Sequence, residues 1–386
     1  MNIFASRESR EDPKAANGAV GGAPKASSGG GYRYDTPEEK ETLERHKKVI
    51  WKWIKSVGSK ILSDGVNLTK ISLPVELFES KSFLERVCDS WGYLQLLLKG
   101  SECTDPVERM RFLIAFAVSG LSLQVNAAKP FNPILGETFQ GEYDGGIEVF
   151  CEQISHHPPI SCWEVTDEMR RFRFSGTGHI CATTRANSVK AQQKGDSNVF
   201  FYSDGATVSW NLPGLVLKNV MFGERHLKYS GEMVFRDAKN GLECVIKVDP
   251  SEEKSVFSKM QRSLSKSKSP EPNEVYGELK KDGVVVDRCE GSWLSHLDWG
   301  LDASRSRYWT RMPDACVTPS NCGADALESD CRRRIDVQAL QKAERNVNDK
   351  EMYKKCIDEA QSNKELLERH QRSDAKLRKE GLKAQA

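Results

Sequence analysis

The stretch GIEVFCEQISHHPPISC, residues 146–162, joins a run of β-branched and aromatic residues to a histidine pair that leads straight into a proline pair. The run follows Asp144-Gly145, and together they read as a strand leaving a tight turn. The arrangement recurs. Asp204-Gly205 lies between VFFYS and ATVSWNL, Asn240-Gly241 between EMVFRD and LECVIKV, and Asp282-Gly283 precedes VVVDRCEG. Such a series is a chain of antiparallel hairpins. No long helical pattern alternates with these strands, which argues against a parallel nucleotide-binding sheet. The economical architecture is a large, curved or barrel-like antiparallel sheet, because closure hides its edges.

Helices flank this region. Thr36, Pro37 and Glu39 form a capping-box start, and the helix EEKETLERHKKVIWKWIKSV places Leu43, Ile50, Trp53, Ile54 and Val57 along one side. A basic, tryptophan-bearing amphipathic helix can lie on a membrane, cover a cavity or dock on a core. Residues 72–125 read as helical, ending in the apolar FLIAFAVSGLSLQV. That window is too short to span a bilayer. From about Asp336 to Lys383 the chain is charged and helix-favouring. Residues 1–33, rich in Gly, Ala and Ser, read as a disordered tail, and the Ser/Lys-rich segment 250–272 as a mobile surface loop.

The 386 residues carry 57 Lys and Arg against 55 Asp and Glu, so the net charge of +2 gives no global pull toward nucleic acid. Any basic site must be local. The N-terminus lacks the apolar stretch of a secretory signal, and Asn2 stands where myristoylation needs glycine. Eleven cysteines with no CxxC pair indicate neither a disulfide framework nor a zinc ribbon. These features predict a soluble intracellular protein.

A residue before proline is pushed into extended conformation, so SHHPP reads as a rigid extended piece at a strand-to-loop junction. Three uses of His156 and His157 follow: a metal site, an acid/base site, or a preformed anion site. For metal, His46, His179, His226, His296 and His370 are scattered, and the spacing of Cys151 and Cys162 about the pair fits no zinc pattern. For catalysis, Ser155 adjoins His156, but no G-x-S-x-G elbow is present, and neighbours in an extended strand point to opposite faces. In AAKPFNPILGETF, residues 127–139, Lys129 and Asn132 each precede a proline, which fixes a cationic and an amide side chain in extended backbone or simply makes a helix-to-strand connection. Lys364, Glu368 and Arg372, spaced four apart, form one helical stripe roughly 12 Å long, or else a solvated face of paired charges.

Together, KPFNPILGE, EQISHHPP and the late K-x3-E-x3-R helix resemble the oxysterol-binding-protein-related lipid-binding proteins. EQ-x-SHHPP is that family's fingerprint, and Glu152 to Pro159 match it. The resemblance runs from about Trp51 to Arg372; WKWIKSVGSKIL looks like the lid region and GSWLSHLDW like the tryptophan-containing segment late in the barrel. The chain is most similar to short plant members with the ligand domain alone.

The resemblance implies a mainly β fold: a near-complete antiparallel barrel around a hydrophobic tunnel (126–300), an N-terminal helical lid and helices (34–125), and a C-terminal helical region (301–386), forming one lipid-binding domain. Its lid residues are Trp51, Trp53 and Ile54. A sterol or other lipid fills the tunnel, and phosphatidylinositol 4-phosphate competes for it. The headgroup ligands would be Lys129, Asn132, His156, His157, Lys364 and Arg372, with Glu368 orienting the two cations or accepting from an inositol hydroxyl. The role is non-enzymatic lipid transfer, or lipid sensing, by a cytosolic protein peripherally attached to intracellular membranes, with no metal, cofactor or nucleic acid. The chain departs from the family where Asp330 to Asp336 reads DCRRRID, and the segment from Asp330 to Lys364 is about a dozen residues longer than usual.

Overall fold

The computed structural model describes residues 30–58, 65–68, 71–185, 187–249, 273–302, 304–312 and 334–385. The segment 250–272 and most of the 1–33 tail fall outside them. The tail's last residues correct the expectation of disorder: strand β1 (Tyr32–Arg33) pairs with residues 226–227, and Tyr32 is buried.

Helix α1 (Pro37–Val57) starts at the expected capping box, with Glu39 N–H donating to Thr36 Oγ1 at 3.2 Å and Thr36 N–H to Glu39 Oε2 at 3.1 Å. The 72–125 segment differs from its uniformly helical reading. A 3-10 turn (Val75–Leu77) leads into strand β2 (Phe78–Ser82), and only then come α2 (Phe83–Asp89), α3 (Leu94–Glu102) and α4 (Pro106–Leu121). The reason is tertiary: β2 pairs in parallel with β3 (Lys129–Phe131), and Phe78 packs on Phe131 with ring centroids 4.8 Å apart. No helix among the described residues is long and apolar enough to cross a membrane.

The remaining strands form an antiparallel meander: β4 (Thr138–Tyr143), β5 (Ile147–Ser155), β6 (Ile160–Asp167), β7 (Phe172–Arg185), β8 (Ser188–Lys194), β9 (Ser197–Phe201), β10 (Ala206–Trp210), β11 (Gly214–Lys218), β12 (His226–Asp237), β13 (Leu242–Val248), β14 (Glu274–Lys281), β15 (Val284–Ser292), β16 (His296–Trp299) and β17 (Ser306–Thr310). The sheet thus runs ten residues past 300. Each Asx-Gly pair sits at a hairpin turn, with Gly145, Gly205, Gly241 and Gly283 at positive φ. β8 and β9 pair with successive halves of β7, and β10 and β11 with opposite halves of β12. They amount to two long strands, each broken once. One break is at Gly195, where φ is +109° and a Cβ would run into the Thr177 carbonyl.

The end strands β4 and β17 do not pair with each other among the described residues, so the sheet is a nearly complete ring rather than a closed one. Helices α2 and α4 meet those two ends, α2 against β4 and β5, α4 against β16 and β17. The half of the sheet around α2–α4 is packed with aromatic rings. Trp91 meets Trp163 and Phe174 at 5.6 and 5.2 Å, and Phe174, Trp210 and Phe235 stack in sequence at 5.6 and 5.7 Å. The opposite half is left open and roofed by α1. Helices α5 (Ile335–Arg345) and α6 (Lys350–Gln385) dock on the β2–β3 side through a small second core that includes Phe78, Phe131, Leu340 and Ile357.

Candidate functional site

The open half encloses a cavity of about 470 Å³, within the range of small-molecule sites. Alternate residues Ile180, Ala182 and Thr184 of β7 line it, as the period of two requires. Val189, Leu215, Leu217 and Leu227 extend the wall, and Ile50, Trp53 and Ile54 of α1 form the roof. The third predicted lid residue, Trp51, turns outward and meets Phe222 edge-on at 5.4 Å.

At the cavity mouth the three predicted motifs converge. Lys129 Nζ donates to the Pro130 carbonyl at 2.9 Å and to Asn132 Oδ1 at 2.6 Å, and lies 4.7 Å from the Phe78 ring. Lys364, nearly buried on α6, donates to Ser72 Oγ at 2.8 Å and Glu368 Oε1 at 2.6 Å, 5.5 Å from the same ring. One aromatic ring therefore holds two ammonium groups. Burial, reinforced by the charges of Lys364 and Arg334, lowers the Lys129 pKa to about 7. A phosphate beside it would pull that value back up.

The histidines occupy the turn between β5 and β6. This corrects the extended reading: residues 156–159 form a turn with a cis His157–Pro158 peptide, and the two rings tilt against each other at 4.5 Å. His156 is half-buried and lines the cavity, whereas His157 is exposed. Burial and then His157 push the His156 pKa down, opposed by a hydrogen bond with the Pro133 backbone and by Glu368. That bond ties the SHHPP turn to the KPFNP stretch. Gln371 Nε2 approaches His156 Nδ1 at 3.4 Å from α6. Glu368 accepts from Lys364 and from Ser72 Oγ at 3.2 Å, while Arg372, 3.7 Å from Glu368 and with 65% of its side chain exposed, stands at the outer edge.

Sequence reading missed four residues here. Ser72, Phe78 and Gln371 carry no local signal, since only the fold brings them to the mouth. Arg334 is the last arginine of the divergent DCRRRID run, whose first four residues lie outside the described residues. It forks onto Asp336 at 2.9 Å for both contacts, reaches Glu137 at 2.9 Å and the Asn132 carbonyl at 2.8 Å, and covers the Phe131 ring. Burial opposes its charge, but Glu137 and Asp336 hold its pKa up. Arg334 thereby clamps the loop that carries Lys129 and Asn132. Among the described residues no three His, Cys, Asp or Glu side chains gather as metal ligands. Cys88 and Cys151 are free thiols whose sulfurs approach at 3.7 Å, a hydrogen-bond contact and not a disulfide.

Residues 57–385 match the family profile described as Oxysterol-binding protein. Oxysterol-binding protein 9 of Dictyostelium discoideum is 34% identical over 348 residues, which cover 86% of this chain and 78% of that protein. Oxysterol-binding protein-related protein 6 of Mus musculus is 34% identical over 249 residues, 64% of this chain and 24% of that longer protein. The fold is that of the Osh1 ORD domain solved with cholesterol (TM-score 0.68, 22% identity, 92% of this chain and 84% of that one). It is also that of the Osh3 ORD from Saccharomyces cerevisiae solved with PI(4)P (TM-score 0.63, 20% identity, 86% and 84%). With a profile match over residues 57–385 and a relative one-third identical over 86% of its length, the chain belongs to the oxysterol-binding protein family.

Proposed function

We propose that this chain is a non-enzymatic lipid carrier that holds one lipid at a time, either a sterol-like molecule or phosphatidylinositol 4-phosphate, and exchanges the two between membranes. The observation that carries this reading is the continuity of an apolar cavity with a mouth lined by Lys129, Asn132 and His156 and backed by Lys364. A sterol needs only the apolar wall. A phosphoinositide would place its acyl chains against the same wall and its phosphate among the mouth donors, so the two ligands exclude each other. A phosphate monoester carries roughly −1.5 to −2 charges and calls for several convergent donors. Lys129, His156, His157 and Lys364 supply them, Asn132 and Glu368 hold the lysines, and Arg372 meets the headgroup from outside.

The Osh1 and Osh3 domains, described with cholesterol and with PI(4)P, support this pairing of ligands. Residues 34–386 act as one lipid-binding unit under α1, and the protein works from the cytosol, touching membranes peripherally. Exchange requires α1 to swing away from the cavity at a membrane, with the gradient of one lipid driving the other.

Replacing both His156 and His157 by alanine is expected to abolish extraction of phosphatidylinositol 4-phosphate from liposomes while sparing sterol uptake; unchanged extraction would sink the headgroup assignment. Stoichiometric binding without faster liposome-to-liposome transfer would instead identify a lipid-responsive sensor.

A further inference from the structure

Among the described residues, four charged ones line the cavity: Glu79, Arg86, Lys129 and Arg225. Glu79 and Arg86 pair at 3.6 Å, with Asp89 bridging Arg86 at 2.9 Å, and Lys129 belongs to the mouth cluster. Arg225 is different. It is 5% exposed, its Nη2 donates to the Val220 carbonyl at 2.7 Å, and its buried Nε has no partner. Among the described residues no carboxylate lies within ion-pair distance of it. Its electrostatic neighbours are Tyr34, Glu44 and His46. The Tyr34 hydroxyl is committed to the Asn126 carbonyl at 3.1 Å, and Glu44 pairs with Lys47 at 2.6 Å on the exposed side of α1.

A guanidinium has five N–H donors and keeps its charge in proteins. Withdrawn from water without a counter-ion, it is costly to the fold. Bracing the 219–225 loop does not account for it, because Asn187 and Asn219 already hold that loop through Met221 N–H, the Phe222 carbonyl and the Glu224 carbonyl. His46, on the buried face of α1 beside Arg225 and also lining the cavity, has its pKa lowered to about 4 by burial and then by Arg225. It is a neutral imidazole at neutral pH.

Resting on the lipid-carrier reading of the cavity, we infer that Arg225, with His46 beside it, forms a second polar subsite at the lid end. It accepts an oxyanion that a lipid carries into the apolar interior. Two sources share this chemistry: the carboxylate of a long-chain or steroid acid, and the phosphodiester of a phospholipid whose headgroup occupies the mouth. A neutral sterol can accept a hydrogen bond from Arg225 but brings no charge to pair with it.

The test compares the full chain with its Arg225→Met and Arg225→Lys variants. The probes are cholesterol, a sterol whose side chain ends in a carboxylate, oleate, and phosphatidylcholine vesicles containing phosphatidylinositol 4-phosphate. The readout is each anionic lipid's affinity relative to cholesterol, so a general loss of folded protein cancels. Arg225→Met is expected to lower that ratio tenfold or more, about 1.4 kcal/mol, and Arg225→Lys to recover part of it. A loss confined to the two carboxylates assigns the subsite to lipid acids, and one confined to the phosphoinositide assigns it to the phosphodiester. Cholesterol uptake with unchanged ratios in both variants overturns the subsite alone. A wild-type protein that takes up none of the four lipids overturns the carrier reading together with the subsite.

Discussion

The packed and open halves of the sheet are built from the same strands. Phe174 of β7 and Phe235 of β12 stand in the aromatic stack around α2–α4, whereas Ile180 of β7 and Leu227 of β12 face the cavity. The difference lies in what meets them. Three helices fill one half, where a cavity among Trp91, Phe174 and Trp210 measures about 30 Å³, and a single amphipathic helix roofs about 470 Å³ in the other. Stability is therefore concentrated in one half and ligand capacity in the other, with the strand breaks at Gly195 and at residues 211–213 between them.

The sharpest way to break that division is to truncate an apolar side chain in each half. Phe174→Ala removes a fully buried ring that touches Trp91, Phe116, Trp163 and Trp210. It should cost about 3–5 kcal/mol. Leu215→Ala in the cavity wall removes a side chain that is only half-buried, and should cost about 1 kcal/mol or less because part of its surface already lacks packing partners. Urea-unfolding midpoints read both; equal costs would mean that the open half contributes to the folded core as much as the packed one.

The mouth should respond in the opposite sense, losing affinity without losing stability. Lys129→Ala deletes one charged donor worth about 1.5–3 kcal/mol to a bound phosphate, so extraction of phosphatidylinositol 4-phosphate should weaken roughly 10- to 100-fold. Cholesterol uptake should hold, and the urea midpoint should stay or rise because the half-buried ammonium is unfavourable in the protein alone. A falling midpoint would make Lys129 a structural residue.

The same lysine gives a pH signature. Its folded pKa of about 7 lies below the roughly 10.4 of an unfolded lysine. The unfolded chain therefore holds more protons between those values, and the protein alone gains stability as pH rises from about 7 toward 10. A bound phosphate favours the charged form, so binding takes up a proton above about pH 7, and phosphoinositide affinity falls as pH rises, by at most about tenfold per unit. Calorimetry in two buffers of different ionisation enthalpy would show that uptake, absent for cholesterol. Equal heats in both buffers would remove Lys129 from the headgroup contacts.

The packed half was far more legible in the sequence than the mouth. Asx-Gly pairs mark the hairpins, and Thr36 with Glu39 marks the start of α1, because turns and caps are set by neighbours in the chain. β2 was invisible: FESKS has no alternation of its own and becomes a strand only through Phe131, some fifty residues away. The mouth resisted for the same reason. Lys129, His156 and Lys364 stood out through a family pattern, but nothing local shows that Phe78 would serve both lysines, that Gln371 would meet His156, or that Arg334 would clamp their loop. Arg225, in FGERH, carries no local signal, because its burial depends on α1 closing above it.

The contact holding the roof supplies the smallest and most discriminating effect. Trp51 and Phe222 are both substantially exposed, and they meet edge-on where α1 passes the loop before β12. An aromatic pair of this geometry contributes about 0.5–1.5 kcal/mol, whereas Trp53 and Ile54 lie against the cavity itself. Removing Trp51 should therefore ease the roof open without altering the wall. Trp51→Ala is expected to raise the dissociation rate of a fluorescent sterol about 2- to 12-fold, with the urea midpoint nearly unchanged because the packed half is untouched. Should dissociation stay at the wild-type rate while the midpoint drops, the Trp51–Phe222 contact would belong to the stabilising half of the molecule, and the roof would be held by the cavity-facing Ile50, Trp53 and Ile54.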